Sequence, residues 1–215
     1  RGAEATEQYR LAIELLPNHA PAYQWYANHL QDRPEDYAEA MALLRKAVEL
    51  DPEFSLSFTG LADAYSYFGI YHVTPVNQTF PLAKLAAEKA LQLDSRQADA
   101  HISMGIVQEA YFWNWSRAYN EYKQAIEINP YSANAHKEYS EFLMFMGEFN
   151  EAIKEAKYAL ELDPYSIISN GNLGHVYYRS RQYEKAVDQL SKTLEMAPES
   201  FLTVPLWHLG LALCA

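Results

Sequence analysis

Cysteine is nearly absent: Cys214 is the only one in 215 residues. A single thiol excludes an intramolecular disulfide framework and any zinc site built from several thiolates, and it fits a reducing compartment such as the cytoplasm. Basic residues are also scarce, with 17 Lys and Arg against 28 Asp and Glu, a formal charge of −11 with neutral His. A nucleic-acid surface takes much of its affinity from a basic patch that releases phosphate counterions, so this balance argues against DNA or RNA as a partner. No apolar run approaches the ~20 residues of a membrane helix, and Arg1-Gly2-Ala3-Glu4 has no signal pattern, so a soluble chain without a membrane partner is expected. The sequence also lacks a Gly-rich phosphate loop, Gly-x-Ser-x-Gly and His-Glu-x-x-His. Neither an enzyme nor a cofactor is expected. The seven histidines, at 19, 29, 72, 101, 136, 175 and 208, avoid i, i+3 and i, i+4 spacing, so no metal site is expected either.

What is present is a phrase repeated six times: an Ala or Thr, a Leu, Ile or Val, an acidic residue or Gln, an apolar residue, and a helix stop. Its copies include Ala12-Ile13-Glu14-Leu15-Leu16-Pro17, Ala47-Val48-Glu49-Leu50-Asp51-Pro52 and Ala90-Leu91-Gln92-Leu93-Asp94-Ser95. It returns as Ala125-Ile126-Glu127-Ile128-Asn129-Pro130, Ala159-Leu160-Glu161-Leu162-Asp163-Pro164 and Thr193-Leu194-Glu195-Met196-Ala197-Pro198. The phrases end at 17, 52, 95, 130, 164 and 198, so every interval is 34 or 35 residues except one of 43. A helical unit this short cannot bury its apolar stripe alone and must stack on neighbours.

The pattern around the phrase resembles the tetratricopeptide repeat. One copy reads Phe58, Leu61-Ala62, Tyr65, Ala83, Ala87 and Ala90; another Tyr139-Ser140, Leu143, Ala152, Ala156 and Ala159; a third Leu173-Gly174, Tyr177, Ala186 and Leu190. Small side chains let a neighbouring helix approach, and large ones fill the adjacent gap. The resemblance implies an all-α fold, a right-handed α-α superhelical solenoid of antiparallel helix pairs, with twelve helices in one array. The expected units are a half repeat at 1–19, repeats at 20–54, 55–97, 98–132, 133–166 and 167–200, and a half repeat at 201–215. Trp207, Leu209, Leu211, Leu213 and Cys214 run apolar to the last residue, where a polar capping helix usually closes such an array. A piece of a longer protein is therefore expected, with the exposed terminal helix offering a homodimer contact.

Two departures stand out. The 55–97 unit is nine residues too long, and the excess lies at 69–81, read as an inserted loop. It either projects to bind a partner or folds back through Ile70, Tyr71 and Phe80, the latter being preferred, and His72 within it is read as a packing residue. The next unit replaces a Gly-Asp turn with Tyr111-Phe112-Trp113-Asn114-Trp115-Ser116. Its tryptophans are expected to wedge between units rather than form a ligand cage, with Asn114 or Ser116 capping the following helix. This unit is similar to those of a bacterial subgroup appended to signalling proteins, which implies a regulatory role. His101 and His136 share one repeat position and are expected to be structural.

Glu14, Glu49, Glu127, Glu161 and Glu195 are placed on a solvated outer face with Lys46, Lys89, Lys123 and Lys192. In arrays of this family the first helices line a concave groove. The resemblance carries that groove onto Gln24, Asn28, Thr59, Asp63, Ile102, Ile106, Glu109, Asn134, Lys137, Glu141, Phe145, His175, Tyr178 and Arg179. Lys137 and Arg179 are its only cations, against Asp63, Glu109 and Glu141. A clamp for a peptide's terminal carboxylate is therefore not expected, and a basic or amphipathic protein or peptide is. The alternative function is a structural or self-association spacer.

Overall fold

The computed structural model describes residues 2–30, 36–71, 73–196 and 209–213. Eleven helices are fully bounded: α1 (Gly2–Leu15), α2 (Ala20–Leu30), α3 (Tyr37–Leu50), α4 (Ser55–Ile70), α5 (Val76–Leu93), α6 (Ala98–Ala110), α7 (Trp115–Ile128), α8 (Ala133–Phe145), α9 (Phe149–Leu162), α10 (Ile167–Arg179) and α11 (Tyr183–Met196). Residues 209–213 are also helical, and no strand occurs among the described residues. None of the described helices is long and apolar enough to cross a membrane. His72, Leu206, Trp207 and Cys214 lie outside the described residues.

The recurring phrase ends helices by one device. The backbone N–H of Asp51, Asp94, Asn129 and Asp163 donates to the carbonyl of the phrase's opening Ala, at 47, 90, 125 and 159, over 2.8 to 2.9 Å. Each side chain then accepts from the backbone N–H two residues on, in Glu53, Arg96, Tyr131 and Tyr165, at 2.9 to 3.3 Å. This side-chain turn competes with helix continuation and reverses the chain.

The chain falls into two compact units, Arg1–Glu121 and Tyr122–Ala215. In the first, Tyr26, Leu30, Leu44 and Met104 are fully buried around Ala27, Ala40, Ala62 and Ala87. In the second, Leu173, Tyr177 and Leu190 surround Ala156, Ala186 and Ala212, with Leu209 packed against them. The expected small positions are closed: Ala83, Ala87, Ala90, Ala152, Ala159 and Ala186 have no exposed surface, and Ala156 almost none. Gly174 shows why size matters there, since a Cβ on it would stand 2.6 Å from Cγ and Cδ2 of Leu190. The glutamates of the expected solvated face, Glu14, Glu49, Glu127, Glu161 and Glu195, are all exposed and Lys46 pairs with Glu49 at 3.2 Å, while Lys89 and Lys123 are half-buried.

The inserted segment differs from a loop. Residues 69–70 are helical in α4 and 76–81 in α5, so the excess lengthens both helices to 16 and 18 residues and leaves only 71–75 between them. Phe80 folds back as expected, buried and stacked on Tyr111 with ring centroids 5.3 Å apart. Ile70 and Tyr71 stay largely exposed, although the Tyr71 ring lies 6.1 Å from Tyr67 and 6.4 Å from Tyr37. Helix lengthening costs no unpaired backbone groups, which a long buried loop would leave.

A second recurring bond fastens four of the helix stops. The residue four places into the repeat reaches back to a carbonyl six residues earlier: the Tyr23 hydroxyl donates to Pro17 at 3.0 Å and Asn170 Nδ2 to Pro164 at 3.2 Å. His101 Nε2 meets Ser95 O at 3.1 Å, and His136 Nε2 meets Pro130 O at 3.0 Å. Phe58 occupies this place in the 55–97 repeat and has no group to donate. The two histidines are thus structural, as expected.

Replacing Gly174 with Ala is expected to destabilise the chain by about 1 to 3 kcal/mol, because fully buried Leu190 must shift at a branched carbon. Urea titration measures this, and an unchanged midpoint would contradict the close approach.

Candidate functional site

The first helix of each pair offers a face of mixed chemistry. In the first unit, Asn28 on α2 is exposed, while Asp63 on α4 and Ile106 on α6 are half-buried. Gln24, also on α2, is buried, and its side-chain carbonyl oxygen has no hydrogen-bond partner among the described residues. Asp63 accepts from the Ser103 hydroxyl of α6 at 2.5 Å, which joins two successive first helices through this face. Thr59 and Ile102 are buried, so the open part of this face is narrower than the pattern implied.

In the second unit the face comes from α8 and α10. Asn134, Phe145 and Arg179 are exposed, and Glu141, His175 and Tyr178 are half-buried. Tyr178 packs partly on the core and its ring lies 6.0 Å from that of Tyr183. Lys137 is buried and its ammonium pairs with Glu138, a half-buried residue absent from the sequence-based set. The Glu141 carboxyl is raised from 4.5 to about 7 by burial first, then by repulsion from Glu138, with Lys137 drawing it partly back. Two carboxyl groups thus share one ammonium on α8. Above about pH 7 this group carries a net negative charge in a partly desolvated place.

Of the two tryptophans expected to wedge between units, Trp115 is half-buried and Trp113 turns outward. Trp113 is 70% exposed and packs edge-on against Trp115 at 5.8 Å, while the ring turned inward is Tyr111, stacked on Phe80. The reason is backbone geometry. The turn between helices takes a left-handed residue: Gly147 at φ +82, Arg181 at φ +61 and here Trp113 at φ +55. That conformation points the Trp113 side chain outward and leaves inward packing to Tyr111. Asn114 caps α7 as expected, its Oδ1 accepting from the Arg117 N–H at 3.2 Å. Groups of three or more candidate metal ligands do not occur among the described residues.

Helix pairs packed on small buried residues, presenting polar and charged first-helix faces, define a helical-repeat scaffold for protein–protein interaction. The family model of the tetratricopeptide repeat matches residues 20–54 and 168–200. The structure is similar to that of YrrB, a tetratricopeptide repeat protein with an unusual peptide-binding site, at 25% identity over 94% of this chain and 97% of that one, with a TM-score of 0.52. It is similar to TTC0263, a thermophilic tetratricopeptide repeat protein of Thermus thermophilus, at 19% identity over 82% and 91% of the two chains, with a TM-score of 0.69. MamA is a third likeness, at 20% identity over 81% and 91%, with a TM-score of 0.51. No match is found among curated proteins. The chain thus carries tetratricopeptide repeats at 20–54 and 168–200 and has the fold of tetratricopeptide repeat proteins.

Because folding raises the Glu141 pKa, the folded chain holds a proton that the unfolded chain releases near 4.5. Stability from this group therefore falls as pH rises from about 4.5 to about 7 and stays reduced above. Glu141→Gln is expected to raise stability at pH 8 by about 1 to 2 kcal/mol and to change little at pH 4, measured by urea unfolding at both pH values.

Proposed function

We propose that the array captures a basic or amphipathic peptide or helix on its first-helix faces, as the non-enzymatic regulatory part of a larger cytoplasmic signalling protein of the bacterial type. The observation that carries the reading is the α8 group, where Glu138 and Glu141 share the single ammonium of Lys137. A Lys or Arg side chain of a partner supplies the missing positive charge there. Exposed Asn134 and Arg179 stand on the same unit to hold the partner's backbone and any carboxylate it carries. The likeness to YrrB, whose own site binds peptide, supports the same class of partner. The overall charge of −11 favours encounter with a cationic segment.

A second reading, self-association through the terminal helical stretch, is favoured by Leu213, which is 66% exposed beside buried Ala212. Light scattering separates the two, because a dimer abolished by Leu213→Glu supports self-association and a monomer at high concentration removes it.

Peptides selected by display against the array are expected to be rich in Arg and Lys. Their affinity should rise between pH 6 and pH 8 as Glu141 ionises, and Glu141→Gln should weaken them about tenfold at pH 8 and flatten the pH dependence. Calorimetry measures this, and equal affinity of wild type and variant would place the partner elsewhere.

A further inference from the structure

Two of the helix-stop fastenings involve a charge balance that neutral groups do not satisfy. His101 presents Nε2 to the Ser95 carbonyl at 3.1 Å and Nδ1 to Glu121 Oε2 at 2.8 Å. In the second unit, His136 presents Nε2 to the Pro130 carbonyl at 3.0 Å and Nδ1 to Glu155 Oε2 at 2.5 Å. A carbonyl and a carboxylate both accept, and a neutral imidazole has one N–H and one lone pair. One of the two contacts would then set a lone pair against a lone pair. Both are satisfied when each ring nitrogen carries a proton, or when the carboxyl carries one. In either case the pair holds one proton more than a neutral histidine beside an ionised glutamate.

The 167–200 repeat shows the same fastening without that proton. Asn170 Nδ2 donates to Pro164 O at 3.2 Å and to Ser166 O at 2.8 Å, and its Oδ1 accepts from Gln189 Nε2 at 2.7 Å. Here the second-helix partner is an amide, which can donate. Where the partner is a carboxylate, the residue facing it is a histidine. That exchange of both members points to a protonated pair.

We propose that His101 is a proton-dependent rivet, tying the helix stop to both helices of its own repeat and letting go of the stop as pH rises. The groups facing His101 are the Ser95 carbonyl and Glu121, whose other oxygen accepts from Arg117 Nε at 3.3 Å. Those facing His136 are the Pro130 carbonyl, Glu155, and Tyr158, edge-on with centroids 4.6 Å apart. Burial opposes charging of the His101 ring, but the Glu121 bond, the Ser95 carbonyl and the Glu121 charge outweigh it and hold the ring above its ordinary 6.5. Burial likewise opposes ionisation of Glu121, and the bond and charge of His101 with those of Arg117 hold it below its ordinary 4.5. The His101 contribution to stability is therefore complete below 6.5 and lost as pH rises through the higher folded value, while the Glu121 contribution is lost as pH falls through its lowered one. Once one proton leaves, the remaining N–H stays with the carboxylate, the stronger acceptor, and the carbonyl bond to the helix stop is the one that breaks. This reading stands independently of where a partner docks.

Nitrogen NMR of the whole chain between pH 5 and pH 9 tests it. Protons on both ring nitrogens of His101 at pH 6 are expected, with Nε2 losing its proton as pH rises. A single neutral tautomer at pH 6 overturns the proposal. As a second measurement, His101→Asn with Glu121→Gln recreates the Asn170–Gln189 pair. The double variant is expected to lose part of the fall in urea midpoint between pH 6 and pH 9. A slope unchanged from wild type would overturn the proposal, and a variant that does not fold leaves the NMR result to decide.

Discussion

The approach of one helix to the next, at positions where a single methyl group is all that fits, is the constraint on which the rest of the structure depends. Ala83, Ala87 and Ala90 in one repeat and Ala152, Ala156 and Ala159 in another are closed to solvent because a neighbouring helix rests on them. Such packing is dense and intolerant of volume change. It also determines which side chains remain outside. With the second helices' small faces turned inward, their Glu residues are left in solvent, and the first helices keep part of a face open to solvent.

The helix stops act with that packing. An Asp or Asn ends each of four second helices and turns the chain, and after three of them the fourth residue of the next repeat fastens the turn. The same short phrase thus does two things: it terminates a helix, and it supplies a carbonyl that the following helix grips. Where the gripping residue is His101, the proposal adds a proton to a fold-level fastening; where it is Phe58, the fastening is absent. On α8 the scaffold keeps two carboxyl groups near one ammonium, a local excess of negative charge that a rigid helix presents without the freedom to relax it.

Much of the fold was legible in the sequence because the repeat is written in residue size. Six phrases at near-constant spacing marked the helix ends, and the Ala positions marked the contacts. The inserted 69–81 segment was read as a loop because Gly69, Pro75 and Pro81 punctuate it. Yet Gly69 serves close approach, a Cβ there falling 2.6 Å from Thr79 Oγ1 and Phe80 Cε2, and Pro81 is held inside α5. The Trp113 side chain was misplaced because a left-handed turn residue cannot be told from its type alone. Of the residues proposed for recognition, Asn28, Asn134 and Arg179 are exposed, while Gln24, Thr59 and Ile102 are buried by neighbouring helices that no single-repeat rule describes. Glu138 escaped notice because it falls outside the repeat positions assigned to the groove, although its partner Lys137 is its neighbour in sequence, and Glu121 and Glu155 because their partners, His101 and His136, lie 20 and 19 residues away. Only the last two separations recur, and they would have been readable once the His101 and His136 positions were aligned.

The central claim is that the first-helix face of α8 and α10 is where a cationic partner lies. Amide hydrogen exchange of the second unit, with and without a selected Arg-rich peptide, tests it most directly. The account predicts slowed exchange along α8 and α10 with α9 and α11 unchanged on their outer faces. Slowing confined to α9 and α11, with α8 unaffected, would contradict it.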